Sequence, residues 1–160
     1  MTKPSHIAAD GSLIMVDVSG KAVTERTAVA EARVRMAAAT ARALREATLP
    51  KGDAFVAAQL AGILAAKQTG ALIPLAHPLP LSAVEVTFAW TAADVLAVRA
   101  RASTSAKTGV EMEALVAAAI AALTIYDMCK ALEKGIVVEA VRLLEKTGGK
   151  SGDWRAAESS

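Results

Sequence analysis

Residues 82–102, SAVEVTFAWTAADVLAVRARA, carry the pattern that decides the fold. Val84, Val86, Phe88 and Trp90 fall on alternate positions, and the same period of two returns at Leu96, Val98, Ala100 and Ala102. Strict alternation places every second side chain on one face, which describes two half-buried strands. The short link Thr91–Asp94 leaves room only for a tight connection, so the two strands form a hairpin.

Upstream, AVAEARVRM (28–36) alternates in the same way, with Ala28, Ala30, Ala32, Val34 and Met36 on one side and Glu31, Arg33 and Arg35 on the other. The Ala-rich stretch that follows carries no assigned element. Pro50 and Gly52 then break the chain, and Asp53 is placed to cap a helix whose apolar positions Val56, Leu60, Ile63 and Leu64 follow helical spacing. Gly70 is placed to end it.

Downstream, Thr108 and Glu111 have the spacing of a capping box, opening a long helix that runs to about Glu133, with Gly135 as its stop. IVVEAVRLLEK (136–146) is rich in β-branched residues and reads as a last strand. The order strand, helix, strand, strand, helix, strand, joined by right-handed crossovers, predicts an α+β fold. It is a ferredoxin-like sandwich, an antiparallel sheet with helices packed on one face.

At 160 residues and 54% hydrophobic content, one domain spanning 1–160 is expected. Its polar ends, about 1–14 and 147–160, lack periodicity and are expected to be mobile. The longest apolar run, Ala114 to Tyr126, is short of the roughly 20 residues that span a bilayer, and no basic segment leads into an apolar stretch at the N-terminus. A cytoplasmic protein without membrane contact is expected. One cysteine, Cys129, and two histidines, His6 and His77, offer no disulfide and no metal cluster. A net charge of +2 spread along the chain, with 3% aromatic residues, argues against a nucleic-acid reader and for a small anionic ligand.

Several residues stand out against this background. Asp127 and Lys130 are three apart on the long helix and can touch. On an unknown helix such a pair is usually a surface ion pair of little consequence. Here Ile125, Tyr126, Met128 and Cys129 surround it, which predicts partial burial and shifted pKa values useful for proton transfer. Glu113 lies fourteen positions before Asp127, which separates them by about 21 Å along a regular helix. They cannot serve one small substrate within one chain, so a site at a subunit interface is expected, completed by an antiparallel helix of a neighbour.

Glu111 divides between capping and ligand contact, and Met112 between core and contact; the amides at this helix start can receive an anion. His77 is held extended by Pro78, and the stiffened backbone of Leu75, Ala76 and His77 could wall a specific pocket, although a lone histidine is more often structural. Lys51 stands at a helix entrance, where the helix dipole disfavours a cation, whereas Lys67 near the end of that helix is well placed. EKTGGKSGDW (145–154) is a Gly-rich basic loop with Lys146 and Lys150. A P-loop would need glycine at Leu144, so no ATPase is predicted.

Five stretches, MVDVSGKAVTERTAVAEARV (15–34), PKGDAFVAAQLAGILAAKQT (50–69), LIPLAHPLPLSAVEV (72–86), KTGVEMEALVAAAIAALTIYDMCKA (107–131) and VRLLEKTGGKSGDW (141–154), resemble the cyclic pyranopterin monophosphate synthases of molybdenum-cofactor biosynthesis. The resemblance covers nearly the whole chain. It implies a lyase that converts GTP already cyclised between C8 and C3′ into cyclic pyranopterin monophosphate with release of diphosphate, without a cofactor or a protein-bound metal. It implies Asp127 as acid/base with Lys51 and Lys130 assisting. Leu75, Ala76, His77, Met112 and Glu113 are implied as substrate-binding positions, and Glu111, Arg26, Lys67, Lys146 and Lys150 as polar or triphosphate contacts. It also implies a hexamer built as a trimer of dimers, with the active site between subunits. Ala76 departs from the pattern, since many relatives carry cysteine there; a backbone contact would be little affected. The competing function is a nucleotide-sensing regulatory oligomer of the same fold, which would need the phosphate-binding cations but not the Asp127 and Lys130 pair.

Overall fold

The computed structural model describes residues 4–157. The alternating segments form long strands β1 (Thr24–Arg35), β2 (Leu81–Ala92), β3 (Val95–Ala106) and β4 (Val137–Thr147), joined by a two-residue β5 (Trp154–Arg155). All pairings are antiparallel and the sheet order is β2-β3-β1-β4-β5. The chain therefore passes over β3 to reach β2 and over β1 to reach β4. These interleaved crossovers make the expected ferredoxin-like α+β sandwich.

The helices are α1 (Ala38–Arg45), α2 (Ala54–Lys67), the single turn α3 (Thr69–Leu72) and α4 (Glu111–Cys129). The core lies between the sheet and α2 with α4. Ala28, Ala30, Ala32 and Val34 of β1 and Leu96, Val98, Ala100 and Ala102 of β3 are fully enclosed beneath the inner face of α4, which presents Ala114, Ala117, Ala118, Ala121, Ala122 and Ile125. Burying a side chain such as Leu96 or Ile125 contributes about 1.5–3 kcal/mol. With 19 residues and a mean hydropathy of 1.6, α4 has the length and composition to cross a membrane, yet here it is the core helix, its small residues facing the sheet and α2.

Small residues also set how closely α2 and α4 approach. A Cβ on Gly62 would stand 2.9 Å from Val86 Cγ2, 3.0 Å from the Ala117 carbonyl oxygen and 3.3 Å from Ala121 Cβ, so only glycine lets the helices and β2 meet there. The helical spacing of Val56, Leu60 and Leu64 is real, but it marks the outer face. These residues are 58%, 58% and 48% exposed, while Ala54, Ala58, Gly62, Ala65 and Ala66 turn inward.

Asp53 caps α2 as expected, accepting from the Val56 amide at 3.1 Å. Four other expectations need correction. Gly70 lies inside α3 and does not stop α2, which ends at Lys67. The Thr108–Glu111 capping box does not form: Val110 occupies the N-cap without a side-chain bond, because Glu111 is already the first helical residue. The long helix stops at Cys129, short of Glu133; beyond it the Leu132 amide turns back to the Cys129 carbonyl and the Tyr126 hydroxyl donates to the Lys134 carbonyl. The Ala-rich stretch after β1 forms α1, whose Arg45 guanidinium lies 3.7 Å over the Trp90 ring.

Glu31, assigned by alternation to the polar face of β1, is only 2% exposed. It lies on the uncovered side of the sheet beneath Arg99 at 2.8 Å and Arg33 at 3.1 Å. Burial pushes its carboxyl up, but hydrogen bonds and attraction from these two guanidiniums outweigh it and hold the pKa below the usual range. Of the ends, residues 4–14 make a small turn closed by the Ile7–Leu13 bridge, and β5 pairs Trp154 and Arg155 with Lys146 and Glu145. The expectation of mobile ends also takes in residues 1–3 and 158–160, which lie outside the described residues.

Candidate active site

Two groups of polar residues sit at opposite ends of α4. At its C-terminal end, Asp127 accepts from Lys130 at 2.7 Å on Oδ1 and from Lys51 at 2.9 Å on Oδ2. Lys51, on the loop ahead of α2, also donates to the Asp127 main-chain carbonyl at 2.9 Å. The cation that the dipole of α2 disfavours thus sits at the carbonyl end of α4, where a positive charge is favourable. That contact supplies a structural reason for Lys51 that its position before α2 does not reveal.

Partial burial of this group, expected from its apolar sequence neighbours, does not occur within one chain. Ile125 and Cys129 turn into the core, but the helical twist leaves the Asp127 side chain 53% exposed. Its pKa moves down to about 2, because hydrogen bonds from Lys130 and Lys51 stabilise the carboxylate, and the Lys130 ammonium is correspondingly held above its ordinary value by Asp127. Cys129 beside it is no nucleophile: burial pushes its thiol up to about 11.

At the N-terminal end of α4 a cavity of about 510 Å³ opens between the loop before β2 and the start of the helix. Leu75, Ala76 and His77 form one wall, and Glu111, Met112 and Glu113 the other. Glu113 is 3% exposed, and burial, with a smaller repulsion from Glu111, raises its carboxyl above the usual range. A buried carboxyl that forms no ion pair among the described residues suits hydrogen bonding to the N–H groups of a bound heterocycle. The His77 ring is already engaged, since Nε2 donates to the Val16 carbonyl at 2.6 Å.

Basic residues extend this cavity into a groove. Arg26 and Lys146 flank Glu111 and the Gly148 turn, and Lys146 pairs with Glu111 at 3.0 Å. Glu111 therefore holds a lysine and caps no helix. Further along, Lys150 and Arg26 line a wider groove of about 970 Å³. Gly148 and Gly149 have φ of +85° and +83°, and a Cβ on either would strike the Glu25 carbonyl or the Arg26 guanidinium, so the loop packs against β1 only as glycine.

Of the residues expected from sequence, Asp127, Lys51 and Lys130 come together, as do Leu75, Ala76, His77, Glu111, Met112 and Glu113, with Arg26, Lys146 and Lys150 adjoining. Lys67, in the last turn of α2, is exposed and lines neither the cavity nor the groove. Lys21, which borders both, was missed, together with Val16 and Val18 on the cavity wall. The alternation of Val16 and Val18 with Asp17 and Ser19, followed by Lys21, was the available signal.

The chain is 56% identical over 158 residues to the cyclic pyranopterin monophosphate synthase of Novosphingobium aromaticivorans, an alignment that covers 99% of this chain and 100% of that protein. The MoaC family profile matches residues 15–149, a span that includes the Asp127 group, the cavity lining apart from Ser5 and His6, and the start of the basic loop. With a relative this similar along its whole length and a family match across both ends of α4, this chain belongs to the MoaC family.

Proposed function

We propose that this chain is the lyase that converts (8S)-3′,8-cyclo-7,8-dihydroguanosine 5′-triphosphate into cyclic pyranopterin monophosphate and diphosphate. The reaction would take place at an interface between two subunits of a hexamer built as a trimer of dimers. The carrying observation is the Asp127 carboxylate bracketed by Lys51 at 2.9 Å and Lys130 at 2.7 Å, with a heterocycle-sized cavity at the far end of the same helix. The outward apolar residues Val56, Leu60 and Leu64 of α2 and Leu123 of α4 support burial of this helical face against a second copy. An antiparallel partner would bring its cavity to this chain's Asp127 group.

In the proposed complex, Leu75–His77, Met112 and Glu113 hold the guanine-derived ring, while Arg26, Lys146 and Lys150 hold the triphosphate. Opening the base and closing the pyranopterin moves protons on and off nitrogen, the work assigned to Asp127 with Lys51 and Lys130. Cover by the partner subunit would exclude water from this set and strengthen the electrostatic interactions within it. The cyclic phosphate forms when an internal hydroxyl oxygen attacks the first phosphorus. Its proton passes to a base of the set, the bond to the second phosphate breaks, and diphosphate leaves with the electron pair, stabilised by the basic groove.

The test follows diphosphate release from the 3′,8-cyclised GTP by the parent protein and by Asp127→Asn and Lys51→Ala. Release by the parent that collapses in both variants is expected. Tight binding without turnover by the parent would reject the lyase in favour of a nucleotide sensor.

A further inference from the structure

The segment ahead of β1 crosses the cavity and is fastened there by side chains from elsewhere in the fold. Residues 16–19 belong to no helix or strand, and Leu13, Ile14 and Met15 just before them remain exposed, so packing holds this stretch weakly. Only Val16 and Val18 turn inward, where they line the cavity.

Two tethers set their position. His77 Nε2 donates to the Val16 carbonyl at 2.6 Å; a carbonyl can only accept, so this nitrogen carries a proton. Lys107, at the end of β3, donates from its ammonium to the Ser19 carbonyl at 2.7 Å. Asp17 lies between them. Its carboxylate is kept below the usual range chiefly by hydrogen bonds from Ser19, with attraction from Lys107 and His77 added. Lys107 is itself fixed, because Arg26 Nη2 donates to its carbonyl at 3.3 Å. Two residues past Ser19 comes Lys21, the side chain shared by the cavity and the basic groove.

We propose that Lys107 is a positioning residue. Its ammonium clamps residues 16–21 across the cavity as a strap, so that Val16 and Val18 wall the substrate and Lys21 is delivered to the junction with the groove. The proposal rests on the reading of this cavity as the substrate site. The Lys107 side chain does not itself line the cavity and pairs with no member of the Asp127 group, so its loss acts on substrate capture and leaves the proton-transferring groups in place.

Limited trypsin digestion of the full-length assembled protein tests the clamp without substrate. In Lys107→Met, cleavage after Lys21 is expected to rise roughly tenfold, the scale of losing one hydrogen bond to a charged group. Cleavage after Lys134, in the loop beyond α4, serves as the internal reference and should be unchanged, and Lys107→Arg should stay near the parent. With the cyclised GTP, Lys107→Met should raise KM several-fold with kcat within about twofold of the parent. Equal cleavage after Lys21 in parent and Lys107→Met, or a matching rise after Lys134, overturns the clamp. An opened strap with unchanged KM overturns the positioning role. A parent that binds but never turns over the substrate refutes the lyase reading instead, while the digestion still decides the strap.

Discussion

Lys51 meets Asp127 twice, through the Oδ2 carboxylate oxygen and through the main-chain carbonyl, each at 2.9 Å. One ammonium thus joins the entrance of α2 to the end of α4, and the two roles can be separated by mutation. Asp127→Asn keeps the carbonyl contact, so Lys51 stays in place while the carboxylate charge disappears. The expected result is a fall in kcat of about 10²–10⁴-fold with a folded protein of parent stability. Lys51→Met removes the contact at the helix end as well, and should lower both kcat and the urea midpoint. Parent-like turnover in Asp127→Asn would remove this group from the reaction.

The two half-sites at the ends of α4 make a stronger prediction. If each active site joins Asp127 of one subunit to Glu113 of another, Asp127→Asn and Glu113→Gln should each be nearly inactive alone. When the two proteins are unfolded together and reassembled as a mixture, half the dimers are hybrids with one intact site of two. Activity should then recover to roughly one quarter of the parent. Failure to recover, with mixed oligomers demonstrated by mass spectrometry, would overturn the site shared between subunits.

Glu113 should reveal itself by pH. Its folded pKa is raised from 4.5 by burial, so the folded chain holds this proton more tightly than the unfolded chain does. Its contribution to stability is therefore full below pH 4.5 and declines as pH rises through the folded pKa. In urea titrations across this window, Glu113→Gln should lack that decline and be at least as stable as the parent at neutral pH, while binding substrate more weakly. A variant with the parent's pH slope would show that Glu113 is not the source.

Gly62→Ala tests how tightly α2, α4 and β2 are fitted. Alanine favours a helix interior by about 0.5–1 kcal/mol over glycine. Its methyl would, however, press on Val86 Cγ2 at 2.9 Å and the Ala117 carbonyl oxygen at 3.0 Å, an overpacking that costs about 1–3 kcal/mol. A net loss of about 1–2 kcal/mol in urea unfolding is expected. A more stable variant would mean that the helices move apart freely.

The alternation in residues 82–102 and 28–36 carried the sheet, because a period of two needs only local geometry to be recognised. The same locality explains the errors. Alternation put Glu31 in water, but Arg99 comes from β3, 68 residues away, and covers it. Spacing identified the apolar stripe of α2, yet periodicity cannot tell which of two non-polar faces turns inward. The alanine and glycine face won because it allows closer approach to α4.

The candidate site divides along the same line. Sequence alone determined the ferredoxin-like order of elements, the Asp127 and Lys130 pair three residues apart, and the impossibility of joining Glu113 to Asp127 across fourteen helical residues. Only the tertiary structure decided that Lys51 lies against Asp127, that Glu111 holds Lys146, and that His77 and Lys107 secure the strap. Those contacts join residues 76, 35, 61 and 88 positions apart, and a distance set by the packing of separate elements leaves no period in the chain.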